Sequence, residues 1–397
     1  MNFPPFSSLF IPILLISYLI LFFNFFALFF HFPTLKKVRY PFAERYEGDG
    51  LILNSNINPF GPSPLVIEEI KKIADKVNFY PPKQDKLKEK VSQNLKEYGF
   101  DVTPKEIVFG NGSDEAIEFV FKFLMRRHKR KLKIIIGEGT FAFYEYLAKS
   151  FGLEVKKVKL NDFGYDLESI EKVAKKSKPC LICICNPINP TGKIIPKENL
   201  EDFLGTLNRD GIYILSDEAY FEYANFLNLK DWRKDKYRSV LNLKRSENIF
   251  VTRTFSKVYG LAGIRIGYLI TQFADIIESE IKPPFSVNYI ALVCAEKALE
   301  DREHIKKTLE NNLEGMRILE KLFDELGTPY VGSWANFIFV QVKKKSIIDE
   351  LKSKKIFVRD MKPYGFDGAI RVSIGKKEDM EVFSEFFRKI FLKNKNV

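Results

Sequence analysis

The stretch Glu106-Ile107-Val108-Phe109-Gly110-Asn111-Gly112-Ser113-Asp114-Glu115 passes from an apolar strand through a glycine-punctuated turn into an acidic helix start. The progression recurs downstream, where Lys133-Ile134-Ile135-Ile136, the run from Cys180 to Cys185, and Ile212-Tyr213-Ile214-Leu215 are short apolar runs separated by stretches of helical length. Runs that are apolar on consecutive residues must be covered on both faces. Alternating with helices, they predict an α/β fold with a mainly parallel sheet. In such sheets ligands collect where strands end and helices begin, so the turns after these runs are where chemistry is expected.

Upstream, Leu51-Ile52-Leu53 runs into Asn54-Ser55-Asn56-Ile57-Asn58-Pro59-Phe60-Gly61-Pro62-Ser63-Pro64, a short strand entering rigid turn chemistry. Ser63 suits the cap of a helix opening at Pro64. A second turn, Asn78-Phe79-Tyr80-Pro81-Pro82, precedes an amphipathic helix with Leu87, Val91 and Leu95 on one face. The tail changes character: Phe337-Ile338-Phe339-Val340, a helix through Ile347, Ile348 and Leu351, then Ile356-Phe357-Val358 and Ile370-Arg371-Val372-Ser373-Ile374 before a last helix. This reads as a smaller α+β unit completed by the segment near residues 35–60. The expected organisation is an apolar segment (1–32), an N-terminal arm with part of the small domain (33–70), a large domain (71–300) and a small C-terminal domain (301–397).

A chain of 397 residues, 46% apolar, can bury a large core. The formal charge of +12, from 63 basic and 51 acidic residues, is diffuse. Arg126-Arg127-His128-Lys129-Arg130-Lys131 and Lys343-Lys344-Lys345 lack the aromatic interleaving of a nucleic-acid surface and read as solvated faces, so no nucleic-acid partner is expected. Cys180, Cys183, Cys185 and Cys294 are too few and too unevenly spread for a disulfide scaffold. Cys183 and Cys185 share a strand face, but the histidines are only His31, His128 and His304; buried thiols are expected rather than a metal site. From Leu9 to Phe30 the chain carries no charge, which is long enough to span a bilayer, and Lys36, Lys37 and Arg39 would hold the rest of the chain on the cytoplasmic side. A transmembrane anchor on a cytoplasmic catalytic domain is one expectation for this segment; a start placed upstream of the true one, or a partner-binding helix, are the others.

Four strand ends carry polar groups beyond what folding needs. The Gly112-Ser113-Asp114 turn offers free N–H groups and a hydroxyl at a helix start, as a phosphate requires, although a plain helix cap has the same look. Asn186-Pro187-Ile188-Asn189-Pro190-Thr191-Gly192 holds amides on a stiff backbone. Ser216-Asp217-Glu218-Ala219-Tyr220 places a carboxylate and a phenol at a strand end, where Asp217 reads either as a partner for a protonated ring nitrogen or as a helix cap. Thr252-Arg253-Thr254-Phe255-Ser256-Lys257 continues to Arg265 and Tyr268, setting a lysine and an arginine among small and hydroxyl residues. Any one of these alone reads as surface or turn; together, an anion cradle, an amide, a phenol, a carboxylate, an amine and an arginine are what pyridoxal phosphate requires.

With "NSNINPFGPSP", "FGNGSDEAIE", "NPINPTG", "SDEAY", "RTFSKVYGLAGIRIGY", "PPFSVN", "WANFIFV" and "VRDMKPYGFDGAIRVSIG" in order, the chain resembles the fold-type I aminotransferases over roughly residues 50–385, and within them the histidinol-phosphate aminotransferase family. The resemblance implies a large domain with a seven-stranded, mainly parallel sheet between helices, a smaller α+β domain, and a homodimer. It implies that Lys257 bonds pyridoxal phosphate covalently, that Asp217 faces the ring nitrogen, and that Asn189 and Tyr220 bond the ring oxygen. Gly112, Ser113, Asp114, Ser256 and Arg265 would hold the phosphate, with Tyr80 reaching in from the other subunit. Arg371 would take the substrate carboxylate, Arg359 the distal phosphate, with Asn189 beside them, in a ping-pong exchange with glutamate and 2-oxoglutarate. Ile57 stands where the family usually has glutamate, and "NINP" resembles the threonine-phosphate decarboxylases; that activity, an aromatic or broad-range aminotransferase, and a membrane-tethered binding protein of the same fold are the alternatives.

Overall fold

The computed structural model describes residues 38–42, 49–207, 210–230, 234–243 and 246–395. From Tyr40 onward the chain forms one compact unit built on two main sheets. The larger has seven strands in the spatial order Ile107–Gly110, Gly267–Ile270, Ile249–Thr254, Ile212–Asp217, Cys180–Cys185, Lys133–Gly137 and Glu154–Val158. Six of these strands run in one direction, and only Gly267–Ile270 is antiparallel to its neighbours. The five-stranded sheet runs Leu51–Leu53, Ile356–Asp360, Ala369–Ser373, Phe337–Gln341, Tyr330–Val331, so the early strand pairs in parallel with one from the far end of the sequence.

The apolar runs are covered on both faces, as their composition requires. Along Cys180–Cys185 all six residues are buried, Cys180, Ile182 and Ile184 in one hydrophobic cluster and Leu181 and Cys183 in another on the opposite face. Pro64–Ile73 is capped by Ser63, whose Oγ accepts from the Val66 N–H at 3.3 Å, and Asp85–Glu97 buries Leu87, Val91 and Leu95. Among the described residues all four cysteines are buried and unbridged.

The expectation of an anchored cytoplasmic catalytic domain is corrected here. Among the described residues no helix is long and apolar enough to cross a membrane. The apolar stretch 9–30 itself lies outside the described residues.

A buried ion pair locks the centre of the large sheet. Arg253 Nε and Nη2 donate to Glu218 Oε2 at 3.2 and 2.8 Å, with side chains 2% and 0% exposed. Glu218 also accepts from the Ser239 hydroxyl at 2.7 Å and the Val240 N–H at 3.0 Å, and the guanidinium lies 3.5 Å from the Phe221 ring centre. Such a pair is stable only with its remaining hydrogen-bonding capacity satisfied, and removing one partner strands the other in the core. Arg253→Met is therefore expected to lower unfolding stability by about 3–5 kcal/mol in a urea titration. A loss below about 1 kcal/mol would contradict that role.

Candidate active site

The four polar strand ends converge on one cavity of about 230 Å³, lined by Ser113, Asp114, Asn189, Asp217, Tyr220, Ser256, Lys257 and Arg265, together with Tyr40, Phe141, Cys185 and Thr254. The convergence follows from topology. Ile212–Asp217 and Ile249–Thr254 are adjacent parallel strands with Asp217 opposite Thr252, so the carboxylate at the end of one lies beside the turn that leads from the other to Lys257.

At one end is an anion cradle. Helix Gly112–Arg127 has no side-chain cap from Asn111, which leaves first-turn N–H groups free to face an anion at the positive end of the helix dipole. Arg265 donates to Asp114 Oδ2 at 2.8 Å, and Thr254 Oγ1 donates to Ser256 Oγ at 2.9 Å. Since Asp114 brings a carboxylate, what it can offer an anion is its backbone N–H and its grip on Arg265. Gly112, at φ +77°, lies so close to the Arg265 guanidinium that a Cβ there would collide with it. Arg265 itself is held at φ +62°, a left-handed conformation that non-glycine residues adopt at a cost of about 1 kcal/mol or more.

In the middle of the cavity stand Asp217 and Lys257. Asp217 is 4% exposed, and burial pushes its carboxyl up to about 6 against the pull of the hydrogen bond from Tyr144. The Tyr144 hydroxyl donates to it at 2.8 Å and the Ala219 N–H at 3.2 Å, and the Thr252 hydroxyl on the adjacent strand adds to them, all neutral. Asp217 does not cap the next helix, Phe221–Asn228, whose N-cap is Tyr220. Burial, with Arg371 nearby, brings the Lys257 amine down to about 8. The Tyr220 ring centre is 5.6 Å from Lys257 Nζ, and its hydroxyl accepts from Asn56 Nδ2 at 3.0 Å, leaving its own proton for the cavity.

Behind the lining residue Asn189 lie Arg371 and Arg359, directly opposite each other on antiparallel strands of the five-stranded sheet and both buried. Like charges in that relation repel, so the arrangement favours bound anions. Arg371 donates to Asn189 Oδ1 at 2.5 Å and to the Asn54 carbonyl at 3.0 Å, while its buried Nε has no partner. With its oxygen engaged, the Asn189 amide keeps only N–H donors to offer. Arg359 donates to the Pro41 carbonyl and to the Tyr364 hydroxyl at 3.0 Å.

Tyr80 does not join this group: it is 77% exposed and packs against Phe285 at 4.7 Å between ring centres. Ile57 is 41% exposed and does not line the cavity. Sequence reading missed Tyr40, Phe141 and Tyr144, whose aromatic character looks like core, and the asparagines that stitch the site together. Asn56 bonds Ser373 in both directions, its N–H donating at 2.8 Å and its Oδ1 accepting at 2.9 Å; Asn58 Nδ2 donates to the Val258 carbonyl at 2.7 Å, next to Lys257. Three amides in one short stretch were the available signal.

These residues fit pyridoxal phosphate. A buried carboxylate with only neutral donors wants a cation in front of it, the uncapped helix start and Arg265 want an anion, and a lysine with a depressed proton affinity is poised to attack an aldehyde.

Residues 48–387 match the family described as aminotransferase class I and II. The chain is 36% identical to histidinol-phosphate aminotransferase 1 of Nitrosococcus oceani, covering 82% of this chain and 85% of that one. It is 37% identical to histidinol-phosphate aminotransferase 2 of Carboxydothermus hydrogenoformans, over 81% and 86%. The crystal structure of the Sinorhizobium meliloti histidinol-phosphate aminotransferase in complex with pyridoxal-5'-phosphate shares the fold, with a TM-score of 0.76 at 24% identity, covering 87% of this chain and 91% of that one. The chain belongs to the class I and II aminotransferases and, within them, to the histidinol-phosphate aminotransferase family.

Between about pH 8 and the ordinary lysine range near 10.5, the Lys257 amine is neutral in the folded protein while an unfolded lysine is still charged. The unfolded chain binds more protons there, so this group's contribution to stability rises with pH across that window. In cofactor-free protein, labelling of Lys257 by a small amine-reactive reagent, followed by peptide mass spectrometry, is expected to be half-maximal near pH 8. A midpoint near 10 would contradict the depressed proton affinity.

Proposed function

We infer that the chain is a pyridoxal-phosphate-dependent aminotransferase that moves an amino group between glutamate or 2-oxoglutarate and histidinol phosphate or imidazole-acetol phosphate, the transfer needed in histidine biosynthesis. The observation that carries the substrate reading is the pair of buried arginines, Arg359 and Arg371, facing each other beside the cavity that holds Lys257 and Asp217. Relatives named histidinol-phosphate aminotransferase at 36–37% identity support it.

When bound, pyridoxal phosphate supplies a ring that delocalises the electron pair left when the Cα–H bond of an amino acid breaks. The chain's own residues do the rest. Ser113, Ser256, Arg265 and the first turn of Gly112–Arg127 anchor the phosphate. With the cofactor bound, Asp217 would keep a proton on the ring nitrogen, and Asn189 and Tyr220 would donate toward the ring oxygen, orienting the ring and keeping it electron-poor. Lys257 Nζ takes the Cα proton; its depressed proton affinity suits a base working near neutral pH. Arg371, with its unpartnered Nε, receives the substrate carboxylate, and Arg359 receives the distal anion, a phosphate ester in one half-reaction and a carboxylate in the other.

The reading includes a homodimer. Val77, Phe79, Tyr80 and Phe285 are large apolar or aromatic side chains exposed by 60–77%, and Tyr80 would serve the partner's phosphate site.

Protein incubated with histidinol phosphate and 2-oxoglutarate is expected to form glutamate, and with threonine phosphate to release no carbon dioxide; the reverse pattern would replace this reading with a decarboxylase. Lys257→Ala is expected to lose the visible absorption of bound cofactor and nearly all turnover. Arg359→Gln should raise KM for histidinol phosphate roughly tenfold or more, as expected when a charge-assisted hydrogen bond is lost. An unchanged KM would remove Arg359 from the substrate site.

A further inference from the structure

Tyr144 carries a consequence for the cofactor that its sequence context conceals. It lies in the first turn of helix Phe143–Ser150, is fully buried, and packs edge-on against Phe141 with ring centres 5.4 Å apart. Its hydroxyl donates to Asp217 Oδ2 at 2.8 Å, bridging 73 residues of chain, while Oδ1 takes the Ala219 N–H. Both carboxylate oxygens are thereby pinned. Burial and the neighbouring Asp217 raise the phenol well above its usual range, so it keeps its proton and has it to donate to the carboxylate. A hydrogen bond of that polarity favours the ionised carboxylate, because a protonated one would offer a competing hydrogen. It therefore opposes the burial that pushes Asp217 toward its neutral form. The other titratable groups around the carboxylate are Cys183 and Cys185 on the adjoining strand, Asp114 at the start of Gly112–Arg127, Tyr220 and Lys257. Of these only Asp114 disfavours the anion by its charge; the two thiols, raised by burial and by Asp217 itself, and the Tyr220 phenol, raised to about 12, stay neutral.

We propose that Tyr144 is a positioning residue for cofactor binding: its hydroxyl holds the Asp217 carboxylate in one rotamer and in the ionised form that pairs with a protonated ring nitrogen. This rests on the pyridoxal-phosphate reading of the site. Tyr144→Phe removes one oxygen and leaves the ring packing in place. Tyr165→Phe is its control, since the Tyr165 hydroxyl accepts from the Cys185 N–H at 2.9 Å and does not touch Asp217.

The experiment titrates cofactor-free wild type, Y144F and Y165F with pyridoxal phosphate, and then follows the visible band of each loaded protein against pH. Y144F is expected to bind roughly tenfold more weakly, the scale set by losing a hydrogen bond to a buried charge. Its band midpoint should move to higher pH, because a less positive ring lets the nitrogen contributed by Lys257 keep its proton longer. Y165F should keep both values of the wild type. Y144F binding within about twofold of wild type with an unmoved midpoint would overturn the proposal. So would a fall in cofactor-free thermal stability with neither readout changed, which is what a purely structural phenol predicts. A wild type that develops no visible band at all would overturn the cofactor reading itself, whatever Y144F does.

Discussion

The buried pair of Arg253 and Glu218 binds the two strands on which the chemistry depends. Glu218 directly follows Asp217, and Arg253 lies four positions before Lys257, so a bond between them fixes the carboxylate and the amine relative to each other. Their backbones reinforce it: the Glu218 N–H donates to the Thr252 carbonyl at 2.9 Å. Burying a full ion pair is costly compared with a hydrophobic pair of the same size, and what this one contributes is a single allowed arrangement of strand ends. That matters in an active site, where displacements near 1 Å cost far more in rate than in stability.

Around that clamp the site gathers groups of both charges suited to a ligand of mixed charge. Asp217 is buried with neutral donors, Arg359 and Arg371 confront each other, and an uncapped helix start points into the same cavity as Lys257. Each is unfavourable or incomplete by itself. On the reading proposed for this site, one ligand with a cationic ring nitrogen, an aldehyde and a phosphate, followed by a substrate with two anionic ends, would relieve them all. The five-stranded sheet contributes the arginines and the seven-stranded sheet contributes the rest. The Asn54–Asn58 stretch joins the two through Arg371, Tyr220, Ser373 and the Val258 carbonyl.

Much of this was legible in the chain because it depends on local pattern. Consecutive apolar residues in Cys180–Cys185 and Ile212–Leu215 could only be strands covered on both faces, and the polar residues at their ends had nowhere to point but the ligand side of the sheet. Spatial order was not legible, because nothing in Gly267–Ile270 says that it runs antiparallel between Ile107–Gly110 and Ile249–Thr254. Nor was Tyr144, since Phe141-Ala142-Phe143-Tyr144 reads as an apolar helix start and its acceptor is on a distant strand. Arg253 was visible only as part of a motif; that it is fully buried follows from Phe100, Phe221 and Glu218 closing around it, which is tertiary information.

The central claim is that Lys257 is the residue that bonds the aldehyde of the cofactor. It is tested most directly by loading the wild-type protein with pyridoxal phosphate, reducing with borohydride and mapping the modified peptide by mass spectrometry. One stable adduct, on Lys257, is the expected result; an adduct on any other lysine, or none, would contradict it.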